Sequence, residues 1–315
     1  MTASAIDLSV VVPVYKEEGN IRPFLARLEA TFVAYPIQYE VIFALDPSPD
    51  GTETVIREEI KRNPRIRLIT FSRRFGQSAA TIAGLLEARG EACGAIDVDL
   101  QDPPELFADL HRKILEGYDV AYAQRRSRKG ETPIKRLIAY MGYAVINKIS
   151  DLKIPRNTGD YRVVSRRVID ELRKFGEKPG YWRGLISYIG FRQVAVQFDR
   201  EARLDGAGNY NRLTGSISGG LNGVIGFSIK PLQMMSVAGA ILAGFSFALG
   251  LWFLVAKLAG MGLPEGLSTT AILITFFAGT QMLGMGLLGE YVGRIYDEVK
   301  QRPPYIIDQK VNFDD

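Results

Sequence analysis

The segment AIDVDLQDPPE, following an apolar run, brings Asp97, Asp99, Gln101 and Asp102 within a few residues of one another. Asp97 and Asp99 stand two apart, so a strand that persisted to Asp99 would project both carboxylates to one side. Two like charges held that close repel unless a cation or a donor intervenes. Carboxylate and amide oxygens from Asp99 and Gln101, with Asp97 beside them, suit a hard cation, Mg²⁺ or Mn²⁺, of the kind that keeps several waters and binds a diphosphate. An Asp-x-Asp pair taken alone is a weak motif that reads first as surface acid at a strand end, and its context reverses that reading. In open α/β sheets ligands gather at the carboxyl ends of strands. Pro13, Tyr15 and Glu17 close the first apolar run and Asp46 closes the second, which makes a coherent set.

Those residues need a scaffold, and the first half of the chain supplies its pattern. Apolar runs alternate with amphipathic segments, as in a mainly parallel sheet covered by helices. Strands are expected over LSVVVPVY, YEVIFAL, RIRLITF, ACGAIDV and DVAYA, with a further strand from Val194. Helices are expected from Asn20, which would cap the first, from the DGT turn to about Asn63, from Gln77, and from about Pro104, where proline suits a first turn and Asp102 would cap. Asp160 in TGDYR reads by itself as an N-terminal acid for a helix over VVSRRVIDEL or as a partner for Arg162. The lone His111 is expected on the surface of a helix, and the lone Cys93 as a buried, inert thiol.

The C-terminal part has another character. Segments 232–256 and 268–289 are free of charge, and each exceeds the roughly 20 residues that cross a bilayer as helix. The connector KLAGMGLPEG carries one Lys and one Glu, whereas Arg294, Lys300, Arg302 and Lys310 follow the second segment. That bias predicts two spans with both ends cytoplasmic. The absence of a secretory leader pattern before Asp7 agrees. Leu213, Ile217, Leu221, Val224 and Ile225 share one helical face, which predicts an amphipathic helix lying in the membrane interface. The expected organisation is a catalytic domain over 1–210, an interfacial region over 211–230, a transmembrane hairpin over 231–290 and a cytoplasmic tail over 291–315.

Four ordered segments, VVPVYKEEGNI, the acid and DGT turn around Asp46, DVDLQDPPEL and NTGDYRVVSRRV, resemble family 2 glycosyltransferases of the polyprenyl-phosphate class. The class includes dolichyl-phosphate mannose synthases and bacterial bactoprenol glucosyltransferases, and the two C-terminal spans are similar to the latter. The resemblance covers essentially the whole chain. It implies a GT-A nucleotide-sugar-binding domain, a divalent metal and a lipid phosphate acceptor. Position by position, it implies that Pro13, Tyr15, Glu17, Asp46 and Asp97 hold the nucleotide, that Asp99 and Gln101 with Asp97 hold the metal, and that Arg125 contacts phosphate. Asp160 matches the candidate catalytic base.

Two departures stand out. Leu45 and Pro47 flank Asp46 where the family has a second acid and Gly-Ser, and Asn209 stands where relatives often carry Lys. The corresponding phosphate contact is then missing or comes from Arg203 or Arg212. The basic run RRSRKGETPIKR reads by itself as a solvated loop. With a diphosphate donor and a lipid phosphate to bring together, Arg125, Arg126, Arg200 and Arg203 are expected to neutralise the acceptor or the leaving group.

The implied activity is inverting transfer of one sugar, first of all glucose from UDP-glucose, to undecaprenyl phosphate at the inner membrane by a multi-pass protein. GDP-mannose is the first alternative donor, and UDP-GlcNAc and UDP-4-amino-4-deoxy-arabinose-type donors also stay open. An inactive membrane scaffold has no use for clustered acids, and a processive synthase would need a QxxRW motif and more spans. A net charge of +4 with no aromatic and basic binding motif fits anionic lipid or phosphorylated substrates and argues against nucleic acid. Small residues such as Gly239, Ala243, Gly279, Gly284 and Gly286 would permit close helix packing, including in a homo-oligomer.

Overall fold

A computed structural model describes residues 6–126, 158–175, 182–199, 228–261 and 266–313. The apolar runs become strands at the expected places: β1 Leu8–Val14, β2 Tyr39–Leu45, β3 Ile66–Phe71, β4 Ala92–Ala95, β5 Val120–Arg125 and β7 Gln193–Phe198. Every residue of β2 and β3 is buried, as strands covered on both faces require. Between them run α1 Ile21–Ala34, α2 Thr52–Arg62, α3 Gln77–Glu87 and α4 Leu106–Leu115. Alternate residues Leu8, Val10 and Val12 join Phe24, Phe43, Phe107 and Tyr161 in one core.

The sheet departs from the expected plan at two strands. Residues Thr158–Ser165 form β6, which lies antiparallel between β4 and β5, and Ile307–Val311 form β8, antiparallel to β3. The order is β7-β5-β6-β4-β1-β2-β3-β8, so the sheet is mixed. The helix expected over VVSRRVIDEL is therefore shortened: its first three residues belong to β6, and α5 covers Arg166–Leu172. A short helix α6, Trp182–Ile189, follows.

Three local expectations are corrected. His111 is buried, 4% exposed, because it continues the inward stripe of Leu106, Phe107 and Leu110 on α4. Its Nδ1 lies 3.1 Å from the Tyr35 hydroxyl, and burial pushes its pKa down. Asn20 stands at the start of α1 but makes no side-chain cap; its Nδ2 donates to Glu17 Oε2 at 2.6 Å. Helix α4 begins at Leu106 with no side-chain cap, so Asp102 does not cap it. Cys93 is buried as expected, and its thiol is pushed up to about 12 by burial.

The helical unit is separate. Among the described residues, those between 228 and 302 form one compact unit, and the sheet with residues 303–313 forms the other. In the former, α7 Lys230–Leu258 contains the first apolar segment and α8 Leu267–Val299 contains the second. Among the described residues, α7 alone meets the length and hydropathy expected of a membrane span. Tyr291 of α8 donates its hydroxyl to the Ser228 carbonyl at 2.7 Å, and a Cβ at Gly284 would meet the Met235 methyl at 2.5 Å. Among the glycines expected to permit close packing, Gly284 alone meets a neighbouring helix, whereas Gly239, Gly279 and Gly286 face open space. Of the expected interfacial region over 211–230, residues 211–227 lie outside the described residues, as do Arg128, Lys129, Lys135, Arg136, Arg200, Arg203, Asn209 and Arg212.

Candidate active site at the carboxyl ends of the strands

Strand β2 hands Asp46 to a loop, and the loop after β3 closes on it. Asp46 is 3% exposed and accepts the Phe75 and Gly76 N–H groups, one on each carboxylate oxygen, both at 2.9 Å. Gly76 makes this grip with φ at +92°, a conformation that an L side chain resists. The next residue, Gln77, donates its Nε2 to Asp97 Oδ1 at 2.7 Å. Three successive residues thus tie Asp46 to Asp97.

The β1 to α1 loop is fixed to the same end of the sheet. Lys16, at φ +57°, donates its N–H to Ser48 Oγ at 3.0 Å, and the Glu17 N–H donates to Thr52 Oγ1 at 3.0 Å. Pro13 is the penultimate residue of β1, paired with Ala44. Above Tyr15 lies the Arg74 guanidinium, 3.9 Å from the ring centroid, with the Lys16 ammonium at 5.5 Å. Arg73 covers Phe75 at 4.1 Å. The Arg73 and Arg74 pair escaped the sequence reading, although two cations directly after an apolar strand were a legible signal.

The acidic segment differs in detail from expectation. Strand β4 ends at Ala95, so Asp97 and Asp99 stand in the following loop and strand alternation does not align them. Leu100 takes φ +57° and turns the chain. Asp99 is buried, 9% exposed, and its Oδ1 accepts the Gln101 N–H at 3.2 Å. No group of three or more His, Cys, Asp or Glu capable of holding a metal is found among the described residues. The donor set of Asp97, Asp99 and Gln101 consists of oxygen alone, which fits a cation that takes one or two carboxylates and completes its shell with water and substrate phosphate.

A second cluster forms where β5 ends and the antiparallel β6 begins. Arg125 Nη2 lies 3.7 Å from Oδ1 of Asp102, which is 3% exposed. A Cβ on Gly159 would come within 3.2 Å of that Nη2 and 4.0 Å of Asp102 Oδ2, so a bare backbone lets the pair approach β6. Asp102, assigned only to capping from sequence, is instead the anion beneath Arg125. Tyr161 turns inward to the core, where its hydroxyl donates to the Pro103 carbonyl at 3.0 Å. Strand alternation then sends Asp160 and Arg162 to the other face. There Trp182, 2% exposed, donates Nε1–H to Asp160 Oδ1 at 2.8 Å and lies 4.6 Å beneath the Arg162 guanidinium. Arg126 forms an exposed ion pair with Asp199 at 3.7 Å.

The described residues therefore hold Asp46, Asp97, Asp102 and Asp160 in fixed positions, with arginines beside Tyr15 and Asp102. The family model described as "Glycosyl transferase family 2" matches residues 9–173. The chain is similar to an uncharacterized glycosyltransferase of Synechocystis, 40% identical over 305 residues that cover 96% of this chain and 95% of the relative. It is also similar to the SfII prophage-derived bactoprenol glucosyl transferase of Shigella flexneri, 36% identical over 302 residues that cover 95% and 97%. Among solved structures, mannosyltransferase PcManGT from Pyrobaculum calidifontis in complex with GDP-Man and Mn²⁺ shares the fold at a TM-score of 0.50 and 15% identity, over 96% of this chain and 89% of the other.

Proposed function

The chain belongs to glycosyl transferase family 2, and from that premise we propose that it moves one sugar from a nucleotide diphosphate donor to the phosphate of a polyprenyl lipid. The observation that carries this reading is the end-to-end similarity to a bactoprenol glucosyl transferase. UDP-glucose and undecaprenyl phosphate are the favoured pair, and GDP-mannose is the alternative donor.

In the proposed reaction an acceptor phosphate oxygen attacks the anomeric carbon in line with the bond to the nucleotide diphosphate. That bond breaks as the new one forms, and the configuration at carbon inverts. A phosphate monoester has a second pKa of about 6, so the attacking oxygen is already largely ionised near neutrality. Asp160 then has little proton to take, and its role is to orient sugar or acceptor from the position that Trp182 fixes. Pro13, Tyr15, Glu17, Asp46 and Asp97 hold the nucleotide, and Arg125 meets the diphosphate. Arg126, Arg200 and Arg203 receive the lipid phosphate. Asp99, Gln101 and Asp97 are the residues that would hold Mg²⁺ or Mn²⁺, whose chemistry there is to neutralise charge on the departing diphosphate. Exclusion of water and alignment of the two substrates complete the task.

Topology supports the membrane part of the proposal. Strand β7 precedes the helical unit and β8 follows it, yet both belong to one sheet. A folded sheet sits on one side of a bilayer, so the chain between must cross an even number of times. If α7 crosses once, α8 is the element available to return, which favours a two-span hairpin over 231–290. The basic residues after α8 favour the cytoplasmic side of an inner membrane for the domain over 1–210, with an interfacial helix over 211–230. The expected tail over 291–315 is then not a free tail, since residues 307–311 complete the catalytic sheet. A homo-oligomer through the small residues of the hairpin remains part of the proposal.

The test is a panel of nucleotide sugars given to membranes containing the full chain and undecaprenyl phosphate, with the lipid product identified by mass spectrometry. A hexosyl-phospholipid formed from UDP-glucose, of inverted configuration, is the expected product. A product from GDP-mannose alone would move the reading to the alternative donor, and sugar chains longer than one unit would overturn it.

A further inference from the structure

Strand β8 flanks β3, and β3 leads directly into the 72–76 loop that grips Asp46. The antiparallel register runs Leu68 to Val311, Ile69 to Lys310 and Thr70 to Gln309, then shifts so that Phe71 pairs with Ile307. At that shift the Ser72 N–H donates to the Ile306 carbonyl at 3.1 Å. Tyr305 sets its half-buried ring edge-on to Phe71, centroids 6.0 Å apart, and Phe71 meets Phe75 in the same way at 6.2 Å. Phe75 in turn donates its N–H to Asp46 and carries Arg73 on its ring. A line of aromatic edges therefore runs from Tyr305, two residues before β8, to the loop that clamps the acid.

We propose that Tyr305 is a positioning residue for the nucleotide pocket, acting through Phe71 and Phe75 to fix the amides that hold Asp46. The proposal rests on the reading of that pocket as the donor site. It gives β8 a part in the reaction beyond closing a sheet edge. The strand has other fastenings that do not involve Tyr305: Lys310 pairs with Glu87 at 2.6 Å, and Gln309 Oε1 accepts from Arg57 at 2.8 Å. Asn312 Nδ2 donates to the Pro64 and Ile66 carbonyls at 2.8 and 2.7 Å. Loss of the Tyr305 ring should then leave β8 docked and loosen only the loop. Helix α8 ends at Val299, six residues before Tyr305 in the chain.

The experiment measures UDP-glucose-dependent transfer to undecaprenyl phosphate by the full chain in membranes, with KM for each substrate, for wild type, Tyr305→Ala, Tyr305→Phe and Asn312→Ala. Tyr305→Ala is expected to raise the donor KM about three- to tenfold, the range for one lost aromatic edge contact, with kcat and acceptor KM within about twofold. Tyr305→Phe should restore the wild-type value, because the contact uses the ring and not the hydroxyl. Asn312→Ala should lower the melting temperature without moving the donor KM. The proposal is overturned if Tyr305→Ala leaves the donor KM unchanged, or if Asn312→Ala raises it as much. Should Tyr305→Ala fail to fold, Tyr305→Leu, which keeps apolar bulk but no ring, takes its place, with the same raised donor KM expected and the same overturning result. Wild-type protein that transfers no sugar from any donor sinks the donor-site reading itself, a different failure from a wild type that works beside an unaffected Tyr305→Ala.

Discussion

The Trp182 indole donates its Nε1–H to Asp160 Oδ1 at 2.8 Å, across a separation of 22 residues in the chain. One side chain is fully inside the core and the other stands at the strand end, so the buried ring fixes the direction of the carboxylate.

On the reading that Asp160 orients a substrate, Trp182→Phe keeps the aromatic packing and removes the donor. It should lower kcat about ten- to hundredfold, as small misplacements of reacting groups do, with little change in either KM. Steady-state kinetics check this; an unchanged kcat would remove Asp160's orientation from the account.

Arg125 and Asp102 form a cation over a nearly buried anion. Arg125→Met leaves that anion without its facing cation and should destabilise the domain by about 2 kcal/mol, below the full cost of breaking a buried pair because Arg125 is partly exposed. Adding Asp102→Asn should recover part of the stability but none of the donor affinity. Denaturation curves and donor KM for the two single variants and the double variant separate the two effects.

His111 is the sole histidine, so its titration is isolated from any other imidazole. Burial lowers its folded pKa below the unfolded value of about 6.5, which means the unfolded chain binds the proton more readily. Its contribution is whole above that value and is lost as pH falls from there through the lower folded pKa. The thermal midpoint should therefore fall between pH 7 and about 5.5 in wild type, and His111→Phe should flatten that part of the profile. An equal slope in both proteins would place the titration elsewhere.

The strands that hold the donor side were legible because burial on both faces writes itself as runs rich in apolar residues, as in YEVIFAL and RIRLITF, whose interrupting Glu40 and Arg67 pair with each other at 3.1 Å inside the sheet. Strand β6 was not, since TGDYRVVS begins among polar residues and gains its order from partners far away in the chain, β4 and β5. Strand β8 is an edge, and IDQKV has no apolar run to announce it. The acids themselves were visible, but their partners were not. That Asp46 is held by two amides, that Asp102 faces Arg125, and that Trp182 holds Asp160 are all contacts made only by the fold. His111 was recoverable: it follows Phe107 by four residues, which puts both on one helical face.

The most direct test of the central claim is transfer of radiolabel from UDP-glucose into an organic-extractable lipid, by membranes containing the full chain and undecaprenyl phosphate, with and without EDTA. The account predicts labelled glucosyl lipid that depends on added acceptor, is abolished by EDTA and returns with Mg²⁺ or Mn²⁺. Absence of labelled lipid with every nucleotide sugar tried would contradict the activity, and transfer undiminished by EDTA would contradict the role given to Asp97, Asp99 and Gln101.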